Sequence, residues 1–231
     1  HTRYWRDWSS DVCSSDLLLF EYKLKGHILT SEDSTKYLGV ELKYNLDWKN
    51  HVNKIINKAN SSLGFLRRNL RVGNENTKTA AYFSLVRSSL EYCATVWNPH
   101  TKKLVDSLEM VQRRAARFVT NRYRNTSSVT EMLDHLQWET LEARRCKAQL
   151  TMFYKIIHDL VDIPASNYLS QTTVRTRSKH NQRFIPFGSK YNPFKFSFFP
   201  RTVRVWNSLT AAVAEAPSLV LFKRELSKLS F

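Results

Sequence analysis

Between Asp47 and Leu160 the apolar residues recur at helical spacing with almost no interruption, and this constrains the chain more than any other feature. Trp48, Val52, Ile55, Ile56, Ala59, Leu63, Leu66 and Leu70 follow the i, i+3, i+4, i+7 pattern of one helix face, with Asp47 as the expected N-cap and Gly73 as the stop. A second helix is expected from about Glu75 to Val96, capped by Asn74, ended by Pro99, and burying Tyr82, Leu85, Val86 and Leu90. A third runs from about Thr101 to Val119 on a stripe of Leu104, Leu108, Val111, Ala115 and Phe118. Ser128-Val-Thr-Glu131 is a capping box that opens a short helix to Leu136. A long helix follows, from about Glu139 to Leu160. Leu141, Ala148, Met152 and Ile156 share one face beside Phe153, Ile157 and Leu160, so it is expected to bury two sides.

The flanks read differently. Phe20 to Leu29 and Tyr37 to Leu42 are short apolar runs on either side of turn-forming residues 30–35, and together they predict one β-hairpin. Gln171 to Arg183 is polar and basic and reads as a linker or exposed loop. Phe184 to Phe199 is aromatic with short strand-like pieces, Pro200 lies near a helix start, and Pro217 to Leu229 is a last amphipathic helix. The expected fold is mainly α: a small N-terminal β-hairpin, a helical bundle and a small mixed C-terminal region. Its segments are 18–46, 47–169 and 170–231. Residues 1–17 are set aside. Arg6 to Leu17 has no structural period, and one choice of codons for it resembles a common short-read sequencing adapter read in frame. That stretch is therefore expected to be an artefact rather than native protein.

Charge narrows the function. The 36 Lys and Arg outnumber 20 Asp and Glu, giving a formal net charge of +16. Solubility needs only about 2–8 units in a small domain. The excess points to a polyanion, with nucleic-acid phosphates neutralised by Lys and Arg the first reading and an acidic membrane surface the other candidate. Three cysteines, none in a CxxC pair, give neither a zinc site nor a disulfide framework and fit a reducing, intracellular setting. No apolar run reaches the 18 residues that would call for a membrane span. Two clusters of cations stand out. Lys54, Lys58, Arg67, Arg68 and Arg71 lie on or just after the first helix. Arg113, Arg114 and Arg117 share an arc of the third, and Arg122 and Arg124 extend it. Each cluster is a candidate phosphate-binding surface, and the bland alternatives are a solvated charged face or pairing of Arg113 with Glu109 four residues earlier. Trp48, Trp97, Trp138 and Trp206 are read as core anchors rather than base-stacking platforms.

Several short motifs, in order, carry a resemblance. Tyr37-Leu-Gly-Val40, Leu46-Asp-Trp48 and His51-Val52 resemble the segment that follows the palm in non-LTR (LINE-type, Jockey- or CR1-like) retrotransposon reverse transcriptases. Tyr82, Leu85-Val86-Arg87, Leu90-Glu91-Tyr92 and Trp97-Asn-Pro99 are similar to the next helix of that family. Glu109 with Val111-Gln-Arg-Arg-Ala-Ala-Arg-Phe118 is similar to a later one, and Ser197-Phe-Phe-Pro200 through Trp206-Asn207-Ser-Leu209 to a terminal segment. The resemblance spans about residues 20–231. It implies the thumb and post-thumb part of an RNA-directed DNA polymerase, found in the nucleus or cytoplasm. Its expected partners are RNA, the RNA/DNA template–primer duplex, and the palm and fingers of the parent chain, with no membrane. Tyr37 and Gly39 would belong to a primer-grip-like hairpin, and the basic clusters to a thumb that tracks phosphates.

The aromatic-X-Asp-Asp turn that holds two Mg²⁺ ions in such polymerases is absent, and no Asp-Asp pair occurs anywhere in the sequence. Two-metal chemistry needs paired carboxylates. No catalytic residue, no metal ligand and no cofactor is therefore assigned to this chain, and Mg²⁺ belongs to the parent polymerase. The alternatives in other classes are a helical protein-interaction module, using the two-sided long helix, and a decayed fragment without activity of its own.

Overall fold

The computed structural model describes residues 23–30, 32–124, 126–172 and 180–231. The adapter-like residues 1–17 and most of the basic stretch 171–183 lie outside these. The described chain is mainly helical behind two small antiparallel hairpins.

The N-terminal expectation needs correction. The two apolar runs do not pair with each other. β1 (Lys23–Leu24) pairs with β2 (His27–Ile28), and β3 (Ser34–Tyr37) with β4 (Val40–Lys43). Each hairpin closes through a two-residue turn whose central residues both have positive φ: Lys25 (48°) and Gly26 (83°), then Leu38 (45°) and Gly39 (84°). This is the geometry that suits the right-handed twist of paired strands, and glycine adopts it without a Cβ clash. Tyr37-Leu-Gly-Val40 is thus a turn with its flanks rather than the start of a strand.

α1 (Lys49–Asn69) buries Val52, Ala59, Leu63 and Leu66, as the periodicity demands. Its N-cap is Trp48, one residue later than expected, while Asp47 accepts from the Lys49 amide at 3.0 Å. The second helix starts where expected: the Asn74 side chain caps α2 (Glu75–Tyr82) by accepting from Thr77 N at 2.8 Å. It is not one continuous helix, however. A π-turn over Phe83–Arg87 leads into α3 (Ser88–Glu91), Cys93 takes a left-handed φ of 51°, and α4 (Ala94–Trp97) follows. The extra residue per turn shifts the helical register, so Leu85 is exposed, against expectation, while Val86 and Leu90 stay buried. The break frees the Tyr92 carbonyl, and the Trp97 indole N–H donates to it at 2.7 Å.

α5 (Lys102–Thr120) packs against both α1 and α2. α6 (Val129–His135) opens on Ser128, which accepts from Glu131 N, as the capping box predicts. α7 (Leu141–Ile157) is shorter than expected. Ala148 and Leu160 are exposed, whereas Leu150, Phe153 and Tyr154 are buried.

The C-terminal part is helical rather than mixed: α8 (Asn192–Lys195), α9 (Phe198–Trp206), α10 (Ala211–Ala214) and α11 (Leu219–Ser227). A single isolated bridge, Gln171 to Phe184, is the one piece of pairing among its described residues. Aromatic side chains here fill a core instead of building strands. Phe153 lies 5.0 Å from Trp206, and Tyr154 stacks on Phe222 at 4.4 Å.

Two apolar cores result. The first joins Val40 to α1–α6 and the first turn of α7. The second joins Leu150 to Tyr154 of α7 to α9–α11. Between them runs a polar seam. The buried Arg145 donates to Asn98 Oδ1 (3.2 Å), Asn98 Nδ2 donates to Gln149 (3.0 Å), and Arg201 donates to the Asn98 carbonyl (3.1 Å). Burial lowers the pKa of both guanidinium groups.

Candidate nucleic-acid interface

Of the stretches of this chain that carry cations and no acid, two are neighbours in the fold. One is residues 48–74, with Lys49, Lys54, Lys58, Arg67, Arg68 and Arg71; the other is residues 110–130, with Arg113, Arg114, Arg117, Arg122 and Arg124. The fold brings them side by side. Arg114 donates to Asn60 Oδ1 at 3.1 Å, and the Arg67 guanidinium lies 5.4 Å from the centre of the Tyr123 ring. The first contact joins the middle of α1 to α5 and the second joins the end of α1 to Tyr123, three residues past α5, so the two helices pack side by side in the same direction and the two basic stretches lie along one ridge.

On α1 the spacing of Lys54, Lys58, Ser61, Phe65 and Arg68 places them on one arc, and all five are exposed. Phe65 is 52% exposed, an aromatic in the middle of this basic strip. On α5, Arg113 and Arg114 are exposed and Arg117 is half-buried. Arg71, Arg122 and Arg124 are exposed just beyond the helix ends. Among the described residues no carboxylate pairs with Lys58, Arg67, Arg68, Arg71 or the five arginines of the second stretch. The expected Glu109–Arg113 alternative is not what forms. Glu109 turns inward and accepts from the Glu142 amide at 2.8 Å, so Arg113 stays available.

Lys54 is the exception. It pairs with Glu41 of β4 at 2.6 Å, and so fastens the hairpin to α1 more than it offers a free charge. Glu41 N also donates to His51 Nδ1 at 3.2 Å, and burial lowers the pKa of that imidazole. Gly39 sits at the hairpin tip under Tyr92, whose hydroxyl donates to the Leu38 carbonyl at 2.9 Å. A Cβ on Gly39 would meet Tyr92 Cε1 at 3.4 Å. Tyr37 beside it is 65% exposed. The hairpin meets the start of α1, and the Arg67–Arg68 end lies about 25 Å further along the helix at 1.5 Å per residue. Tyr37 and Gly39 therefore belong to the N-terminal end of α1, and Arg67 and Arg68 to its C-terminal end.

Three side chains that shape the ridge were not singled out from sequence. Asn60 looks like a neutral helix position, and only the packing of α1 on α5 gives it a partner. Tyr123 lies between Arg122 and Arg124, and that interleaving of aromatic and cation was the available signal. Lys78 is fully buried, donating to Asn121 Oδ1 at 2.8 Å with its ammonium 5.2 Å from the Phe118 ring centre. It ties the end of α5 to α2. The four tryptophans behave as anchors: Trp97, Trp138 and Trp206 are buried and Trp48 is half-buried against the first core.

Among the described residues no group of three or more His, Cys, Asp or Glu could hold a metal ion, and no helix is long and apolar enough to cross a membrane. No family model matches the chain, and no curated protein or solved structure matches it either.

Proposed function

We propose that this chain holds a template–primer duplex as the thumb and post-thumb part of a non-LTR retrotransposon RNA-directed DNA polymerase, without polymerising by itself. The observation that carries the reading is the convergence of two acid-free stretches, separated in sequence by residues 75–109, on parallel helices. A solvated charged face needs no such convergence, whereas a duplex backbone presents phosphates along a line and is bound without regard to sequence. Mg²⁺ and the paired carboxylates belong to the palm of the parent chain. The competing reading, a helical protein-interaction module, rested on the two-sided apolar surface of α7. That surface is covered within the chain by Trp206 and Phe222.

The test is binding of an RNA/DNA hybrid duplex as a function of salt. The wild type should show a steep, sequence-independent dependence. Replacing Arg113→Ala with Arg117→Ala should lower the log–log slope by about 2, at roughly 0.9 for each phosphate no longer neutralised. Salt-insensitive binding by the wild type, or an unchanged slope in the variant, would remove the basis of this assignment.

A further inference from the structure

The longest acid-free stretch is neither of those on the ridge. From Ile163 to Ala214 there is no Asp or Glu, while the same stretch carries Arg183, Lys190, Lys195, Arg201 and Arg204 outside the residues 173–179. Its aromatic residues are not all spent in the second core. Tyr191 is 61% exposed and Phe194 is 48% exposed, at the start of and within α8. Phe194 meets Phe187 edge to face at 5.9 Å. Two residues on, Phe196 stacks flat on His100, with ring centres 4.1 Å apart and planes 2° from parallel. The Lys195 ammonium lies 5.5 Å from the Phe196 ring centre. Lys190 is exposed, and no carboxylate among the described residues pairs with it or with Lys195. The charges acting on the His100 imidazole are Arg201 and Asp47, of opposite effect.

We propose that this face, formed by Lys190, Tyr191, Phe194, Lys195, Phe196 and His100, is a second nucleic-acid site that takes a single strand. Exposed rings interleaved with unpaired cations offer what an unpaired strand presents: flat bases to stack and phosphates to neutralise. A duplex hides its base faces and gains nothing from the rings. A protein partner would use the same rings, but it has no need of a stretch from which every acid is missing. The site is distinct from the α1–α5 ridge and stands whether or not that ridge binds duplex.

The experiment titrates the whole chain with fluorescent oligo(U) and oligo(dT), and separately with a blunt hybrid duplex. Tyr191→Ala with Phe194→Ala should weaken single-strand binding about tenfold or more per ring and leave duplex affinity unchanged. Tyr191→Phe should retain binding. Both positions are exposed, so folding should survive. Should the helical circular dichroism nonetheless fall, Lys190→Gln with Lys195→Gln provides an independent reading: its single-strand salt slope should drop by about 1.4, at roughly 0.7 per phosphate. Absence of single-strand binding by the wild type overturns the proposal. So does an unchanged affinity in the alanine variant, or an equal loss for single strand and duplex. Self-association of the wild type that the alanine variant abolishes, with oligonucleotide binding intact, would make the face a protein contact instead. Loss of duplex binding alone in the Arg113→Ala, Arg117→Ala variant would bear on the ridge and not on this site.

Discussion

Replacing Glu109 should destabilise the fold through two losses at once. Its carboxylate accepts from the Glu142 N–H at 2.8 Å, while Thr140 Oγ1 accepts from Ala143 N at 3.1 Å, so together they satisfy two of the free amides at the start of α7. Glu109 is also the leading opposite charge acting on the fully buried Arg145. Losing a hydrogen bond to a charged acceptor costs about 1.5–3 kcal/mol. Weakening the compensation of a buried guanidinium adds to this, since breaking a buried pair outright costs about 3–5 kcal/mol. The Arg145 partnership is shared with Asn98, so only part of that second figure applies, and Glu109→Ala is expected to lose roughly 3 kcal/mol. Glu109→Gln keeps an acceptor but no charge and should lose about half as much. Urea unfolding read by circular dichroism measures both. A double-mutant cycle with Arg145→Met separates the terms, because the cap survives in that background and the charge coupling does not. A loss below about 0.5 kcal/mol for Glu109→Ala, or perfect additivity with Arg145→Met, would refute the argument.

Gly39→Ala should cost about 1–2 kcal/mol, because an L-residue is strained at this φ and its Cβ presses on Tyr92; Gly39→Asn should be milder, and urea midpoints would rank the two. Stability should also fall as pH drops from 7.5 to 5.5. Burial holds the pKa values of His51, His100 and His180 below the usual 6.5, so below that pH the unfolded chain binds more protons than the native one. A flat profile over this window would contradict it. Leu108→Asp should unfold the helical region, because it places an unpaired carboxylate at a position with no exposure in the first core; native-like circular dichroism at 25 °C would argue otherwise.

The helices were legible because their stripes are long. Eight apolar positions from Trp48 to Leu70 agree on one face of α1 and its caps, and no competing period exists there. The Asn74 and Ser128 caps were legible because a short polar side chain before an apolar run has a local mechanism. What failed was decided by tertiary contact. Leu38 takes positive φ although leucine disfavours it, since the turn is held from outside by Tyr92. Leu85 faces out because a π-turn shifts its register, and no residue in that segment signals one. Phe184 to Phe199 reads as strand by composition, but its rings are paired with Phe153, Tyr168 and His100 of distant segments. The basic clusters could be found one at a time from sequence. Their adjacency could not, because Asn60 to Arg114 and Arg67 to Tyr123 are contacts across more than 50 residues.

The span of α7 has a consequence for how this molecule comes apart. One helix supplies Leu141 to the first core and Leu150, Phe153 and Tyr154 to the second, with Arg145 and Gln149 in the seam between. Melting either half therefore strips a face of the element that the other half needs. Denaturation should proceed as one cooperative event, with fluorescence of the buried tryptophans and loss of helix tracing the same curve. A nascent chain released before Trp206 would lack both Trp206 and Phe222, the rings that cover Phe153 and Tyr154, and would invite aggregation or chaperone capture.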